Sequence, residues 1–257
     1  MKRLQDTTKI IHNLGMQSIL YTGVFGTENL KNNPLFYKYV QRDKNHEPLF
    51  YGKSEKTAMM CPSSDYVNKV TIPKLQNLIT KNPFDGIFID IPWILNKGCH
   101  CNNCQSNNKI KDENKNEKIV RDSLDKIVTA IKDENPQIKI SINSSAPLIY
   151  NNKSSGAHIT NLTNLFDEYV TEWNPYKWNQ DANILKKSIN YAHKLTQKRI
   201  LHATTLTNKY GKMYTQKEYT HLFSTIMSAG ADMRLGISFP PKQLKIIHTA
   251  LQDSTYH

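Results

Sequence analysis

Two acidic side chains close apolar runs in this sequence of 257 residues. Asp85-Gly86-Ile87-Phe88-Ile89-Asp90-Ile91-Pro92-Trp93 reads as a short buried strand ending on the carboxylate of Asp90. Tyr169-Val170-Thr171-Glu172-Trp173-Asn174-Pro175 repeats the pattern with Glu172. Burying an ionised carboxylate costs several kcal/mol unless it is paired, so a charge at the end of an apolar strand calls for a chemical explanation. Two carboxylates facing one cleft can cleave a glycosidic bond: one attacks or stabilises the anomeric carbon while the other protonates the leaving oxygen. A separation of about 5 to 5.5 Å gives retention, and about 6.5 to 9.5 Å gives inversion. Trp93, Trp173 and Trp178, all the tryptophans of the chain, follow these two strand ends together with Tyr176, and flat apolar faces suit the stacking of sugar rings. Asn143, His202 and Thr204, near the ends of other strand candidates, and Arg234, early in the last one, are candidates for contacts to substrate hydroxyls; each alone also fits a structural role.

The second chemical cluster is Cys99-His100-Cys101-Asn102-Asn103-Cys104, three thiols in six residues, with Cys61 the one other cysteine. Zinc takes four ligands in a tetrahedron at about 2.3 Å from thiolate sulfur, and four cysteines with none to spare suit a closed structural site. That site requires Cys61 to fold back onto the later turn. Unligated thiols are the bland alternative. His100 could stand in for Cys61, although adjacent residues rarely both reach one metal. A redox role fits less well, because a thioredoxin-type CxxC opens a helix in a different context.

The elements that would position these groups alternate. Strand candidates span 17–23, 86–90, 137–143, 168–173, 199–205 and 233–239, and helical stripes lie between them. These stripes include Val67, Val70, Leu75 and Leu78; Val120, Leu124, Ile127, Val128 and Ile131; Leu185, Ile189, Ala192 and Leu195; and Tyr219, Leu222, Phe223 and Ile226. Repeated β/α units of this kind predict an α/β fold, a (β/α)8 TIM-type barrel in preference to an open doubly wound sheet, since Gly23-Val24-Phe25-Gly26 does not match a Gly-rich phosphate loop. The whole of 1–257 is expected to be a single barrel domain. The chain opens with a helix over 6–14 and offers six strands, so the barrel is expected to be incomplete, its first two strands absent, degenerate or supplied by another chain. Residues 29–62 form a long aromatic segment that reads equally as a substrate wall or a packed excursion. Residues 102–118 read as a solvated loop leading into a helix.

Composition bounds the rest. The mean hydropathy of −0.60 leaves no window resembling a membrane span. The formal charge of +12 raises a nucleic-acid partner, but the basic residues are dispersed and no binding motif accompanies them, so that reading ranks low. No apolar signal core follows Met1, and a soluble cytoplasmic protein is expected.

Three segments carry a resemblance. Met60-Cys61-Pro62-Ser63-Ser64-Asp65-Tyr66-Val67, then Phe84-Asp85-Gly86-Ile87-Phe88-Ile89-Asp90-Ile91-Pro92, then Cys99-His100-Cys101-Asn102-Asn103-Cys104 resemble the hypothetical glycosyl hydrolase family 6 pattern. That family consists of TIM-barrel enzymes related to the α-amylase and α-galactosidase groups. The cysteine arrangement is similar to the structural zinc site of family 42 β-galactosidases. The resemblance implies Cys61, Cys99, Cys101 and Cys104 as zinc ligands and Asp90 as nucleophile. Family 42 enzymes carry Asn-Glu where this chain has Ile89-Asp90, so β-galactosidase activity is not implied. The leading expectation is a retaining glycoside hydrolase acting on an oligo- or polysaccharide, with Glu172 as acid/base and a homo-oligomer as one way to complete the barrel. A carbohydrate-binding barrel without turnover is the alternative.

Overall fold

The structure is a computed structural model that describes residues 2–27, 30–51, 57–95, 98–106, 115–144, 156–157, 159–172, 182–203, 213–234 and 241–255. Its contacts divide the chain into two compact units, one of residues 1–143 and 152–167, the other of 144–151 and 168–257. Six strands run parallel, three in each unit.

In the first unit, helix α1 (Lys2–Asn13) precedes β1 (Ile19–Gly23). A short antiparallel sheet follows, made of β2 (Gly26–Thr27), β3 (Phe50–Tyr51) and β4 (Thr57–Met59) in the order β2-β4-β3. A π-helical turn over Val67–Thr71 runs into α2 (Ile72–Lys81), whose first turn accommodates a proline because the N–H it lacks has no helical partner there. Then come β5 (Gly86–Asp90), α3 (Asn102–Ser106), α4 (Lys115–Glu134), β6 (Lys139–Asn143) and α5 (Ile159–Leu162). The parallel order is β1-β5-β6, with Ile19 opposite Gly86, Gly23 opposite Asp90 and Ile87 opposite Ile140.

Side chains alternate across a strand, so β5 shows two faces. Ile87 and Ile89 are fully buried, as are Ile140 and Ile142 of β6, and Leu75 and Ile79 of α2 and Val120, Leu124, Ile127 and Ile131 of α4 are buried too. Phe88 and Asp90 take the other face with Tyr21, whose ring centroid lies 5.5 Å from that of Phe88. The start of β5 is clamped from outside. Asp85 Oδ2 accepts the Ser18 N–H at 2.6 Å and lies 2.9 Å from His12 Nε2, tying α1 to the strand. The Ser18 N–H and, after it, His12 hold this carboxyl below its ordinary value against a small burial cost. The folded value lies under the unfolded one, so this stabilisation is present above about pH 4 and is lost as pH falls through the folded value. Asp85→Asn should therefore cost about 1 kcal/mol at pH 7, a solvent-screened figure. Urea melts of the two proteins are expected to converge as pH falls below the folded value of Asp85.

In the second unit, β7 (Glu168–Glu172), β8 (Arg199–Ala203) and β9 (Asp232–Arg234) pair in parallel, and α6 (Ala182–Leu195), α7 (Gln216–Ser228) and α8 (Pro241–Thr255) belong to the same unit. Helix α7 starts at a capping box: Thr215 Oγ1 accepts the Glu218 N–H at 3.3 Å and Glu218 Oε2 accepts the Thr215 N–H at 2.8 Å. The anticipated stripe of Tyr219, Leu222, Phe223 and Ile226 is buried, as are Leu185, Ile189 and Ala192 of α6.

Two sequence expectations change. The aromatic segment 29–62 holds the small antiparallel sheet, and Phe36, Tyr39 and Phe50 pack onto a core of Val40, Ala58, Met60 and Tyr66. Strands of two or three residues leave no periodicity to read. The polar run from Asn102 begins as a helix, because the Cys104 and Gln105 N–H groups both close onto the Cys101 carbonyl at 2.9 Å. No helix among the described residues is long and apolar enough to cross a membrane.

Candidate functional site

Asp90 ends β5 as the sequence predicts, and its carboxylate accepts three hydrogen bonds. Asn143 Nδ2 donates to Oδ1 at 3.0 Å and the Ile91 N–H donates to the same oxygen at 2.9 Å. The Tyr21 hydroxyl donates to Oδ2. Each donor has a structural cause. Asn143 closes β6, the neighbour of β5 in the sheet. Tyr21 stands opposite Phe88 in register, and the residue opposite Asp90 is Gly23, so no side chain blocks the diagonal reach of the phenol along the strand. Ile91 has φ of +52°, a conformation that costs a β-branched residue about 1 to 2 kcal/mol and turns its N–H onto the adjacent carboxylate. Strain of this kind marks a position that the surrounding structure over-determines. Tyr21 is still 56% exposed.

The segment after Asp90 is fixed by a fully buried glutamine. Gln41 Nε2 donates to the carbonyls of Met60 at 3.1 Å and Trp93 at 3.3 Å, and Oε1 accepts the Leu95 N–H at 3.1 Å. Trp93, half-buried, has its ring centroid 6.1 Å from that of Tyr51. Tyr21 and Gln41 were not foreseen in the sequence, whereas Tyr51 belongs to the aromatic segment 29–62. The strand register would have revealed Tyr21; no local signal marks Gln41.

The four sulfurs of Cys61, Cys99, Cys101 and Cys104 lie within 4.8 Å of one another, with Cys61 Sγ 3.4 Å from Cys104 Sγ and 3.5 Å from Cys101 Sγ. Cys61, Cys101 and Cys104 are buried, and Cys99 is half-buried. Ser63 Oγ sits 3.2 Å from Cys61 Sγ and 3.0 Å from Cys104 Sγ. Hydrogen bonding to Cys104, Cys61 and Cys99 draws the Cys101 thiol well below its ordinary value, whereas hydrogen bonding to Cys101, Cys104 and Cys99, with burial, pushes Cys61 well up. Sulfurs that compete for protons at this spacing can take a metal ion instead. Two backbone bonds hold the cluster: Cys61 N–H to Tyr39 O at 2.7 Å, and His100 N–H to Arg42 O at 2.8 Å. The latter directs the backbone of His100 into the antiparallel sheet region.

In the second unit, His202 is fully buried on β8, with Nδ1 3.0 Å from Thr171 Oγ1. Glu172, Ala203 and Arg234 are register partners across β7, β8 and β9. The side chains of Glu172 and Arg234, and the whole of Trp173, Tyr176, Trp178 and Thr204, lie outside the described residues.

Three of the solved structures similar to this chain are glycosidases by name. An α-L-fucosidase isoenzyme 2 from Paenibacillus thiaminolyticus superposes with a TM-score of 0.70 at 17% identity, over 98% of this chain and 39% of its own. A β-galactosidase from the haloarchaeon Halorubrum lacusprofundi gives 0.70 at 11% identity, over 91% of this chain and 44% of its own. An α-galactosidase from Geobacillus stearothermophilus gives 0.58 at 12% identity, over 98% and 32%. At such identities the likeness is one of fold, and this chain spans less than half the length of each. No curated protein matches the sequence.

A family match corrects one expectation. The resemblance to hypothetical glycosyl hydrolase family 6, with a cysteine arrangement like family 42, is overturned by a match to a different family over residues 97–238. Short motifs misled here: an apolar strand ending on a carboxylate and a thiol-rich turn are local solutions that unrelated chains reach, and Met60–Val67 and Phe84–Pro92 both lie outside the matched residues. Over more than half of its length, residues 97–238, the chain belongs to the family of the hydroxymethylglutaryl-coenzyme A synthase C terminal.

Proposed function

We propose that this protein is a glycoside hydrolase in which Asp90 is the nucleophile and Glu172 the acid/base. The observation that carries this reading is the Tyr21–Asp90–Asn143 constellation at the C-terminal end of a parallel strand, the end where barrel enzymes keep their catalytic groups. Both the matched family and the fold neighbours are enzymes by name, and the neighbours are named as enzymes acting on glycosides. The six parallel strands are then part of an incomplete barrel. An acyl-transfer reading, which the family name invites, needs an accessible nucleophile such as a thiol. All four thiols are engaged with one another instead, three of them buried.

In the proposed reaction, Asp90 Oδ2, which accepts only the Tyr21 hydroxyl among the hydrogen bonds described, attacks the anomeric carbon while Oδ1 stays bound to Asn143 and Ile91. The glycosidic bond breaks, its electron pair leaves with the aglycone oxygen, and Glu172 protonates that oxygen. Water then hydrolyses the ester, with net retention. Trp93 offers the apolar face for the sugar, with Trp173, Tyr176, Trp178, His202 and Arg234 proposed as further contacts. Zinc is the proposed metal for the four cysteines: bonds of about 2.3 Å in a tetrahedron set sulfur spacings of about 3.8 Å, close to those present. It would supply a cross-link and no catalytic step.

The test is trapping with dinitrophenyl 2-deoxy-2-fluoro glycosides of galactose and fucose, followed by peptide mass mapping. A glycosyl adduct on Asp90 is expected. Aryl-glycoside hydrolysis with the adduct on another residue would overturn the assignment of Asp90, and absence of hydrolysis across gluco-, galacto- and fucosides would favour the binding-only barrel.

A further inference from the structure

A divalent cation held by four thiolates is a doubly negative centre, and three of the four cysteines here are buried, with Ile119 packed against them. Buried charge is costly unless polar groups answer it, and the groups that hydrogen-bond a metal's ligands set how tightly the metal is held.

Ser63 is placed to answer it. Its Oγ lies 3.0 Å from Cys104 Sγ and 3.2 Å from Cys61 Sγ, so one hydroxyl bridges sulfurs that stand 43 positions apart in the sequence. The local sequence fixes that hydroxyl. Cys61-Pro62-Ser63-Ser64 closes as a turn, in which the Ser64 N–H donates to the Cys61 carbonyl at 3.0 Å and proline takes the second position, where its fixed φ suits the bend. The Ser64 hydroxyl donates to the same carbonyl at 2.6 Å, and Ser123 Oγ of α4 donates to the Pro62 carbonyl at 2.9 Å. Ser63, half-buried, thus occupies the third position of a turn pinned on both sides. A thiol can donate or accept, but a thiolate on a metal can only accept. In the filled site the single Ser63 proton is therefore directed at sulfur, and both Cys104 and Cys61 are within its reach. A hydrogen bond to a charged acceptor is about twice as strong as a neutral one. The Lys115 ammonium, which donates to the Cys104 carbonyl, brings a positive charge to the backbone of the same cysteine.

We infer that Ser63 is a positioning residue of the metal site: its hydroxyl donates to the thiolates of Cys61 and Cys104, ties the two distant segments together around the metal and withdraws charge from their sulfurs. The inference rests on the metal reading of the four cysteines, and its test separates the two. The full chain, stripped of metal under reducing conditions, is titrated with Co2+, and with Zn2+ in competition with a chromophoric chelator. The wild-type protein should bind one Co2+ with the sulfur-to-metal charge-transfer absorption of a tetrathiolate site. Ser63→Ala should bind Zn2+ about 10- to 100-fold more weakly. Its Co2+ charge-transfer band should move to longer wavelength, because a sulfur that has lost a hydrogen bond gives up an electron more readily. Ser63→Thr, which keeps a hydroxyl, should restore most of the affinity and the band position. The thermal midpoints of metal-free wild type and metal-free Ser63→Ala should agree. A lower midpoint for metal-free Ser63→Ala with an unmoved band would make Ser63 a residue of the turn alone and overturn the inference. Wild-type affinity in Ser63→Ala would overturn it and leave the metal reading standing, whereas a wild-type protein that takes up neither Co2+ nor Zn2+ would overturn both.

Discussion

Asp90→Asn is expected to lower kcat on an aryl glycoside by about a thousandfold or more, a barrier increase of about 4 kcal/mol, while the protein stays folded. The fold survives because of the chemistry of the partners. The amide oxygen can keep the N–H of Ile91 and the amide of Asn143, while the new NH2 group faces the Tyr21 hydroxyl, which can turn from donor to acceptor. The hydrogen-bond count is preserved, so the stability change should stay within about 1 kcal/mol. What disappears is the negative charge and the nucleophilic lone pair. Glu172→Gln should slow turnover of substrates with poor leaving groups far more than that of dinitrophenyl glycosides, because only the former need a proton on departure. Full activity in the Asp90→Asn variant, after separation from contaminating glycosidases, refutes the nucleophile assignment.

What could be read in advance follows the range of the interactions. Gly86–Asp90 was legible because an uninterrupted apolar run ending on a carboxylate is a local pattern, and the helix faces of α4 and α7 were legible from their 3.6-residue repeat. The meeting of Cys61 with Cys101 and Cys104, 40 and 43 positions away, was suggested by counting thiols. Tyr21 was not legible: it is one of 13 tyrosines, and its role depends on a β1–β5 register that places a glycine opposite Asp90. Gln41 is likewise an ordinary polar residue until the chain brings Met60, Trp93 and Leu95 to its amide. The family assignment was misread for the converse reason, since motifs of six to nine residues specify a local geometry and not a lineage.

If zinc fills the four-cysteine cluster as proposed, stripping it, or replacing Cys101 with Ser, is expected to cost about 4 kcal/mol of stability, and the size follows from chain topology. A cross-link closing a loop of about 40 residues removes conformational entropy worth about 4 kcal/mol from the unfolded chain. At about 2 to 4 °C per kcal/mol for a chain of this size, the midpoint of thermal unfolding should fall by about 8 to 16 °C. Elemental analysis should find one zinc per chain, lost on treatment with a strong chelator, and calorimetry before and after reads the shift. Because His100 N–H is bonded to Arg42 O and Gln41 next to it holds Trp93, loosening the thiol turn should also disturb Trp93 and its contact with Tyr51. The stripped protein is therefore expected to show a severalfold higher KM with a smaller change in kcat, the split expected when a binding surface moves and the reacting carboxylate does not. A metal-free protein with an unchanged midpoint would show instead that the four sulfurs are thiols packed in a core.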